Sequence, residues 1–211
     1  SASDVGKLRK QTGSGMMDCK KALVEANGNF DLAVDILRKK GQKVAAKRAD
    51  RQAMEGVVIA KNNDDNSKAI LISLNCETDF VAKNEDFINI AQDILDTAVS
   101  ADLSSAEEIH DLKLSNGMTV AEKVLEQTGV IGEKIEIGGV EKLSAAFVGS
   151  YIHAGNKIAT IVGLSAAPAG ADVIAKDVAM QAAAMNPVAL NEDGVDQSII
   201  DKEIELAKDQ L

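Results

Sequence analysis

The chain has 211 residues, of which 45% are hydrophobic and 27% charged, a composition typical of a globular protein. The longest apolar stretches, around residues 146–148 and 157–167, are too short to span a membrane, and the polar N-terminus has no secretory hydrophobic segment. Cys19 and Cys76 are the only cysteines in the sequence and lack metal-site spacing, which favours a reducing compartment. We therefore expect a cytoplasmic protein.

Charge is distributed unevenly along the chain. Residues 1–51 contain 12 Lys/Arg and 6 Asp/Glu, whereas the other 160 residues contain 11 and 27. The first part therefore carries a net charge of +6 and the second −16, which together give the −10 of the whole chain. This asymmetry indicates separate modules with different faces and introduces nucleic acid as an alternative partner of the first.

Residues 1–41 predict three short helices. The Thr12–Gly15 turn ends the first helix, Asn29 is a suitable N-cap for the third, and Gly41 is a suitable helix end. A bundle with so few core residues resembles the ubiquitin-associated type. Residues 42–55 are rich in Ala, Lys and Arg but have no wide apolar stripe, so they predict a linker helix that is largely solvated.

The rest of the chain contains a weak internal repeat of two strands followed by a helix. Alternating apolar residues predict the strands, and a continuous apolar face predicts each helix. The segments are 56–62, 68–75 and 84–100 in the first copy, and 145–152, 157–164 and 171–185 in the second. We therefore predict an α+β fold with two related subdomains, each packing an antiparallel hairpin on helices. Further helices are predicted near 105–112 and 119–128, and from about 198 to the end.

The sequence lacks the motifs of the common enzyme classes. Gly13-Ser14-Gly15 is not followed by the third glycine of a dinucleotide-binding fingerprint, and a P-loop spacing is absent. The sequence has neither a nucleophile elbow nor a His-Glu-x-x-His motif, and its two histidines are His110 and His153. Its many carboxylates are scattered over predicted outer helix faces. We therefore expect no enzymatic activity, no catalytic residue, no cofactor and no metal site.

The segment Thr12–Lys21 places two methionines at the start of a predicted helix. Its glycines permit positive φ in a tight turn, and Met16 and Met17 could fill a small core. Adjacent side chains at a helix start cannot both point inward, however, so we expect at least one methionine to be exposed as a contact for a partner.

The segment Asn75–Lys83 leaves a strand and enters a helix, a place where loops often carry function. In one interpretation Thr78 or Asp79 is the N-cap and Phe80 lies beneath the sheet. In the other, Phe80 projects beside a carboxylate as a wedge, because Phe87 already supplies a ring to the inner face of the helix.

The segment Gly149–Gly155 places Tyr151 and His153 on one face of a predicted hairpin. If that face is not buried, both side chains could meet a partner.

These three segments resemble sequences typical of the elongation factor Ts family. The run Thr12–Leu23 is similar to the N-terminal signature of the family, Asn75–Lys83 to its second signature, and Gly149–His153 to a hairpin in its second core subdomain. The resemblance implies a ubiquitin-associated-like helical domain, a linker and a core of two related α+β subdomains. It also implies guanine nucleotide exchange on elongation factor Tu during translation. The partner would be Tu in its GDP-bound and nucleotide-free forms, with no direct binding of nucleotide and no membrane.

The resemblance also implies which residues contact Tu. The N-terminal domain of the family docks on the nucleotide-binding domain of Tu. Asp79 and Phe80 match the pair that pushes in beside the magnesium and phosphate site of Tu, and His153 matches a contact from the second subdomain. The predicted contact residues are Met16, Met17, Lys20, Thr78, Asp79, Phe80, Val81 and His153.

The corresponding domain divisions combine the residue pattern with the resemblance. They are 1–41 for the helical domain, 42–55 for the linker helix, 56–142 and 143–190 for the two core subdomains, and 191–211 for the start of a helical excursion. Family members of this build return from that excursion to complete the second core subdomain. We therefore expect the second subdomain to be incomplete here.

The alternative is a nucleic-acid-binding adaptor that uses the basic stretch between residues 38 and 51. Such an adaptor would bind RNA or DNA in a salt-sensitive way. No aromatic side chain for stacking accompanies these charges, and the rest of the chain is acidic, so the exchange factor is favoured. The basic residues are Arg38, Lys39, Lys40, Lys43, Lys47, Arg48 and Arg51.

Overall fold

The computed structural model describes residues 1–103 and 105–209, which form eight α-helices and two small antiparallel sheets. The helices are α1 (Ala2–Thr12), α2 (Met16–Glu25), α3 (Phe30–Arg48), α4 (Asp79–Ala82), α5 (Glu85–Ser100), α6 (Val120–Ile131), α7 (Ala171–Met185) and α8 (Gln197–Asp209). The strands are β1 (Glu55–Asn62), β2 (Lys68–Cys76), β3 (Glu136–Ser144), β4 (Phe147–Ile152) and β5 (Ala159–Leu164), and short 3-10 helices cover Glu107–Asp111 and Glu192–Gly194. The predicted mixture of helices and antiparallel hairpins is confirmed. Gln210 and Leu211, which end the predicted last helix, lie outside the described residues.

Helices α1 to α3 pack around a small core near the N-terminus. Leu8, Cys19 and Ala33 are fully buried there, one from each helix. Asn29 caps α3 as predicted, its side chain accepting from the main-chain N–H of Leu32 at 3.0 Å. The likeness to ubiquitin-associated domains remains a prediction.

Helix α3 continues past Gly41 to Arg48, so the predicted helix end at Gly41 is wrong. Gly41 is buried in the middle of the helix, where Gly129 of α6 lies against it. A Cβ atom on Gly129 would come within 2.4 Å of the Cα of Gly41. The predicted separate linker helix over 42–55 is also wrong, because residues 42–48 belong to α3 and residues 49–54 are not helical. Most of residues 42–54 are exposed, as predicted. Glycine serves here to bring two helix backbones together rather than to end a helix.

The larger sheet has the strand order β1-β2-β3, and α5 covers one of its faces. Ile72 and Leu74 from β2 meet Phe87, Ile94 and Leu95 from α5 in a fully buried core. The hairpin of β1 and β2 and the apolar face of α5 were both predicted. The sequence did not predict β3, whose two glycines weaken the strand pattern and whose residues are all exposed or half-buried.

Strands β4 and β5 form the second hairpin, and α7 packs on it. The predicted order of two strands and a helix therefore occurs twice. Gly149 of β4 lies so close to Ala175 of α7 that a Cβ atom on the glycine would be 2.4 Å from the Cβ of Ala175. The tip of the hairpin reaches β1, where the N–H of Val58 donates to the carbonyl of Asn156 at 2.7 Å. Among the described residues, no helix is long and apolar enough to cross a membrane.

The close crossing of α3 and α6 makes a prediction for stability. We expect Gly129→Ala to lower the free energy of unfolding by about 1–3 kcal/mol, because the new methyl group meets main-chain atoms of Gly41 that cannot move aside. Urea unfolding followed by circular dichroism measures this change. Gly6→Ala is the matched control, since a Cβ atom there meets nothing within 4 Å inside α1. That control should gain about 0.5–1 kcal/mol from helix propensity. Equal effects of the two substitutions would contradict the proposed crossing.

Candidate functional site

The two predicted methionines begin α2 and face solvent. Met16 is 59% exposed and Met17 is 63% exposed, so the interpretation that they fill a core is wrong for both. Lys20 follows one turn later on the exposed side of the same helix. With Val5 and Val24, these residues line a shallow groove on the N-terminal helices. The groove presents thioether and aliphatic groups beside a cation.

The turn before α2 is held by side chains that do not reach the surface. Gly13 adopts the left-handed conformation at φ 68°, which ends α1. The hydroxyl of Thr12 donates to the carbonyl of Leu8 at 2.8 Å and accepts from the N–H of Ser14 at 3.3 Å. The thiol of Cys19 donates to the carbonyl of Ser14 at 3.4 Å. Buried residues of this segment therefore fix the direction in which its methionines project.

The junction between β2 and α4 exposes an aromatic ring. Thr78 is the N-cap of α4, as predicted for Thr78 or Asp79, and its hydroxyl accepts from the N–H of Val81 at 3.5 Å. Phe80 is 84% exposed, so the interpretation that its ring lies beneath the sheet is wrong. Val81 and Ala82 turn the other way and pack against the core of β1, β2 and α5. This one helical turn is anchored by its last residues and presents Phe80 outward.

A paired carboxylate lies beside the ring. The carboxylate of Asp79 accepts from Nζ of Lys83 at 2.7 Å, and this hydrogen bond holds the pKa of Asp79 below its ordinary value. The charge of Lys157 at the tip of the β4–β5 hairpin contributes in the same direction. Asp79 is therefore ionised at neutral pH, next to the exposed ring.

A network of carboxylates supports the junction from behind. Glu133, just after α6, accepts hydrogen bonds from the N–H groups of Glu77 and Thr78 and from the hydroxyl of Thr78. The carboxylate of Glu77 accepts from the N–H of Lys134 at 2.6 Å and from Nη1 of Arg48 at 2.7 Å. Sequence analysis did not find Arg48 or Glu133 as parts of this site. No local signal marks them, because their partners lie 29 to 56 residues away in the chain.

The tip of the second hairpin lies on the same side of the molecule as α4. The hydroxyl of Tyr151 and Nδ1 of His153 are 2.9 Å apart, which confirms that the two side chains share a face. His153 is exposed. Lys157 forms an ion pair with Glu55, the first residue of β1 and the cross-strand partner of Cys76. The hairpin tip is therefore tied to the strands from which α4 emerges.

Met54 is a further exposed apolar side chain near this junction that the sequence did not suggest. It is 81% exposed and directly precedes Glu55 at the start of β1. Three residues predicted from the sequence therefore lie near the end of the sheet where β1 begins and β2 ends. They are Asp79, Phe80 and His153. The methionines of α2 belong instead to the N-terminal helices, which α3 and Arg48 connect to this end of the sheet.

The site offers little reactive chemistry. In the part of the chain that the structure describes, no group of three or more His, Cys, Asp or Glu side chains is arranged to hold a metal ion. Both cysteines are buried and unpaired, and burial raises the pKa of Cys76 to about 11. What the site does offer is an exposed ring and exposed methionines on a rigid frame, features typical of a surface that binds another protein.

Comparison with known proteins identifies the family. Residues 77–211 match the family described as Elongation factor TS. The elongation factor Ts of Christiangramia forsetii is 65% identical over 211 residues, which are 100% of this chain and 76% of the relative. That of Flavobacterium psychrophilum is 58% identical over 210 residues, 100% of this chain and 76% of the relative. That of Porphyromonas gingivalis is 49% identical over 207 residues, 98% and 74% of the two chains. This chain belongs to the elongation factor Ts family.

Proposed function

We propose that this chain is a guanine nucleotide exchange factor that releases GDP from elongation factor Tu during translation elongation. The observation that carries the proposal is Phe80, a ring that is 84% exposed at the tip of a rigid junction within a signature of the family. A large apolar side chain held in water is costly unless a partner covers it. The partner is Tu in its GDP-bound and nucleotide-free forms, and the chain acts where translation takes place, in the cytoplasm.

Nucleotide exchange requires no catalytic residue, because no covalent bond is made or broken. It requires a protein that binds nucleotide-free Tu more tightly than GDP-bound Tu. By linkage, GDP then weakens the binding of this chain to Tu by the same factor by which this chain weakens the binding of GDP. A thousandfold loosening of GDP corresponds to about 4 kcal/mol of coupling. In this proposal the chain is not an enzyme, and it binds neither nucleotide nor metal itself.

Phe80 supplies much of this coupling by inserting between the elements of Tu that support its magnesium and phosphate site. Interface side chains of this kind reach about 2 kcal/mol or more. Asp79, ionised and adjacent to the ring, holds the displaced arrangement through its charge. Thr78 and Val81 hold α4 in place on its inner side. Thr78 is the N-cap of the helix, and Val81 packs on the core.

Two further surfaces complete the contact with Tu. Met16, Met17 and Lys20 dock the N-terminal helices on the nucleotide-binding domain of Tu, and His153 contributes from the second hairpin. We retain the proposed division into an N-terminal helical domain, two core subdomains over 56–142 and 143–190, and a helical excursion from 191. Because α3 is continuous to Arg48, residues 42–48 of the connection between the first two units are part of that helix.

The nucleic-acid-binding alternative gains no support from the basic stretch. Lys40 forms an ion pair with Asp18, and Arg48 donates to both oxygens of Glu77. Two of the seven basic side chains therefore serve contacts within the protein. Binding of RNA that weakens steeply with salt would favour this alternative.

Phe80→Ala tests the wedge. The acceleration of GDP release from Tu should fall about 30-fold, the equivalent of about 2 kcal/mol, because the ring makes its contacts only when the nucleotide site is disturbed. Release of a fluorescent GDP analogue, with and without the variant, measures this. Stability should be unchanged because the ring is exposed. Leu190→Ala, which also removes an exposed apolar side chain, is the matched control. An unchanged rate with Phe80→Ala would exclude the wedge.

Replacing Met16 and Met17 together by alanine tests the docking surface. The concentration needed for half-maximal acceleration should rise about tenfold, since two apolar contacts worth about 1.4 kcal/mol in total are lost. The maximal rate of GDP release should change little, because these contacts exist before and after the nucleotide leaves. A titration of the variant against Tu separates the two quantities. A fall in the maximal rate alone would contradict this assignment.

A further inference from the structure

We propose that Glu133 is a positioning residue for nucleotide exchange: its carboxylate holds the backbone from which Phe80 projects. This inference rests on the proposed function and adds to it a residue that lies outside the three signature segments. Glu133 is half-buried behind the junction, in the turn between α6 and β3. It acts through Thr78 and not through contact with Tu.

Three hydrogen bonds converge on this one side chain. Oε2 of Glu133 accepts from the N–H of Glu77 at 3.1 Å and from the N–H of Thr78 at 3.0 Å. Oε1 accepts from the hydroxyl of Thr78 at 2.7 Å. All three bonds are accepted by one carboxylate, and hydrogen bonds to a charged acceptor are roughly twice as strong as those between neutral groups.

The junction needs this support because neither the sheet nor the helix supplies it. The ladders that β2 makes with β1 and β3 end at Cys76 and Asn75, so Glu77 and Thr78 lie beyond the last cross-strand pairs. Helix α4 has only four residues, and one helical turn does not stabilise itself in water. Glu133 therefore supplies the hydrogen-bond acceptor for the N–H groups of Glu77 and Thr78. By holding the backbone there, it also sets the direction in which Phe80 points.

Phe80 can displace elements of Tu only if the backbone that carries it is held in place. Ordering a mobile segment upon binding consumes part of the interaction energy, and a pre-ordered segment avoids that loss. Phe80 is 84% exposed, so packing by neighbouring side chains does little to fix its ring. Its position is set by the backbone below, where Glu133 holds Thr78 and where Val81 and Ala82 pack on the core.

A second tie joins the same junction to the N-terminal helices. The carboxylate of Glu77 accepts from the N–H of Lys134 and from Nη1 of Arg48, and these contacts hold its pKa below the ordinary value. Arg48 is the last residue of α3, the helix that carries the N-terminal core. Adjacent residues after α6, Glu133 and Lys134, thus hold both sides of the segment that presents Phe80.

Two substitutions of Glu133 separate the hydrogen-bonding role of its side chain from the effect of its negative charge. Glu133→Gln keeps one oxygen, which can accept both N–H groups, and places an amide that can donate to the hydroxyl of Thr78. Glu133→Ala loses all three bonds. We therefore expect Glu133→Gln to retain at least about half of the acceleration of GDP release and Glu133→Ala to lose about tenfold. Thr78→Val, with Thr78→Ser as its conservative partner, gives a second pair should Glu133→Ala fail to fold.

Amide hydrogen exchange tests the geometry in the absence of Tu. In the unmodified chain the N–H groups of Glu77 and Thr78 should be protected. In Glu133→Ala they should exchange at least about tenfold faster, while the N–H of Ile72 in the core strand keeps its protection. Asp96→Ala is the matched control, because it removes a carboxylate that pairs with Lys61 near the far end of β1. Unprotected amides at Glu77 and Thr78 in the unmodified chain would overturn the proposal.

A double-mutant cycle tests whether Glu133 acts through Phe80. If it does, Glu133→Ala should lower the acceleration of GDP release by less than about twofold in the Phe80→Ala background, since the wedge is already absent. Loss by the same factor in both backgrounds would overturn the proposal and assign Glu133 a general structural role. If the unmodified chain fails to accelerate GDP release although its amides are protected, the proposed function itself is wrong. If it accelerates release and Glu133→Ala does so equally well, only the positioning role is wrong.

Discussion

The direct contact between the backbones of α3 and α6 determines how the rest of the molecule is arranged. At Gly41 and Gly129 no side chain separates the two helices, so α3 packs closely on α6 and continues past it to Arg48 without a break. Its first half carries the N-terminal helices, and its last residue, Arg48, reaches Glu77 at the base of the exposed ring. One crossing therefore relates the exposed side of α2 to the exposed turn of α4.

Two phenylalanines seven residues apart show which part of the site the sequence could predict. Phe87 belongs to the regular apolar stripe of α5 and is buried, whereas Phe80 precedes that stripe and is exposed. A spacing of seven residues would put both rings on one face of a continuous helix, so the sequence left two interpretations of Phe80 open. The two rings are separated by the helix break at Asn84, the N-cap of α5. The N-cap at Thr78, both hairpins and most helices followed from equally local signals: capping residues, alternation and turn residues.

The features that the sequence did not predict depend on contacts between distant segments. Gly41 is typical of a helix end by composition, and only the approach of Gly129 explains why the helix continues. Strand β3 is recognisable by its pairing with β2 and not by its own mostly exposed residues. Glu133 and Arg48 are ordinary charged residues until folding places them beside Thr78 and Glu77. Local propensity carries no information about such partners.

The distribution of sulfur atoms gives the proposed surface a distinct chemical vulnerability. The thiols of Cys19 and Cys76 are buried, and the raised pKa of Cys76 keeps it protonated and unreactive. The thioethers of Met16, Met17 and Met54 are exposed. Peroxide would therefore reach the methionines first and convert apolar side chains into polar sulfoxides, which reductases can reverse. Oxidation of these methionines would make the proposed contact surface more polar while leaving the buried cores unchanged.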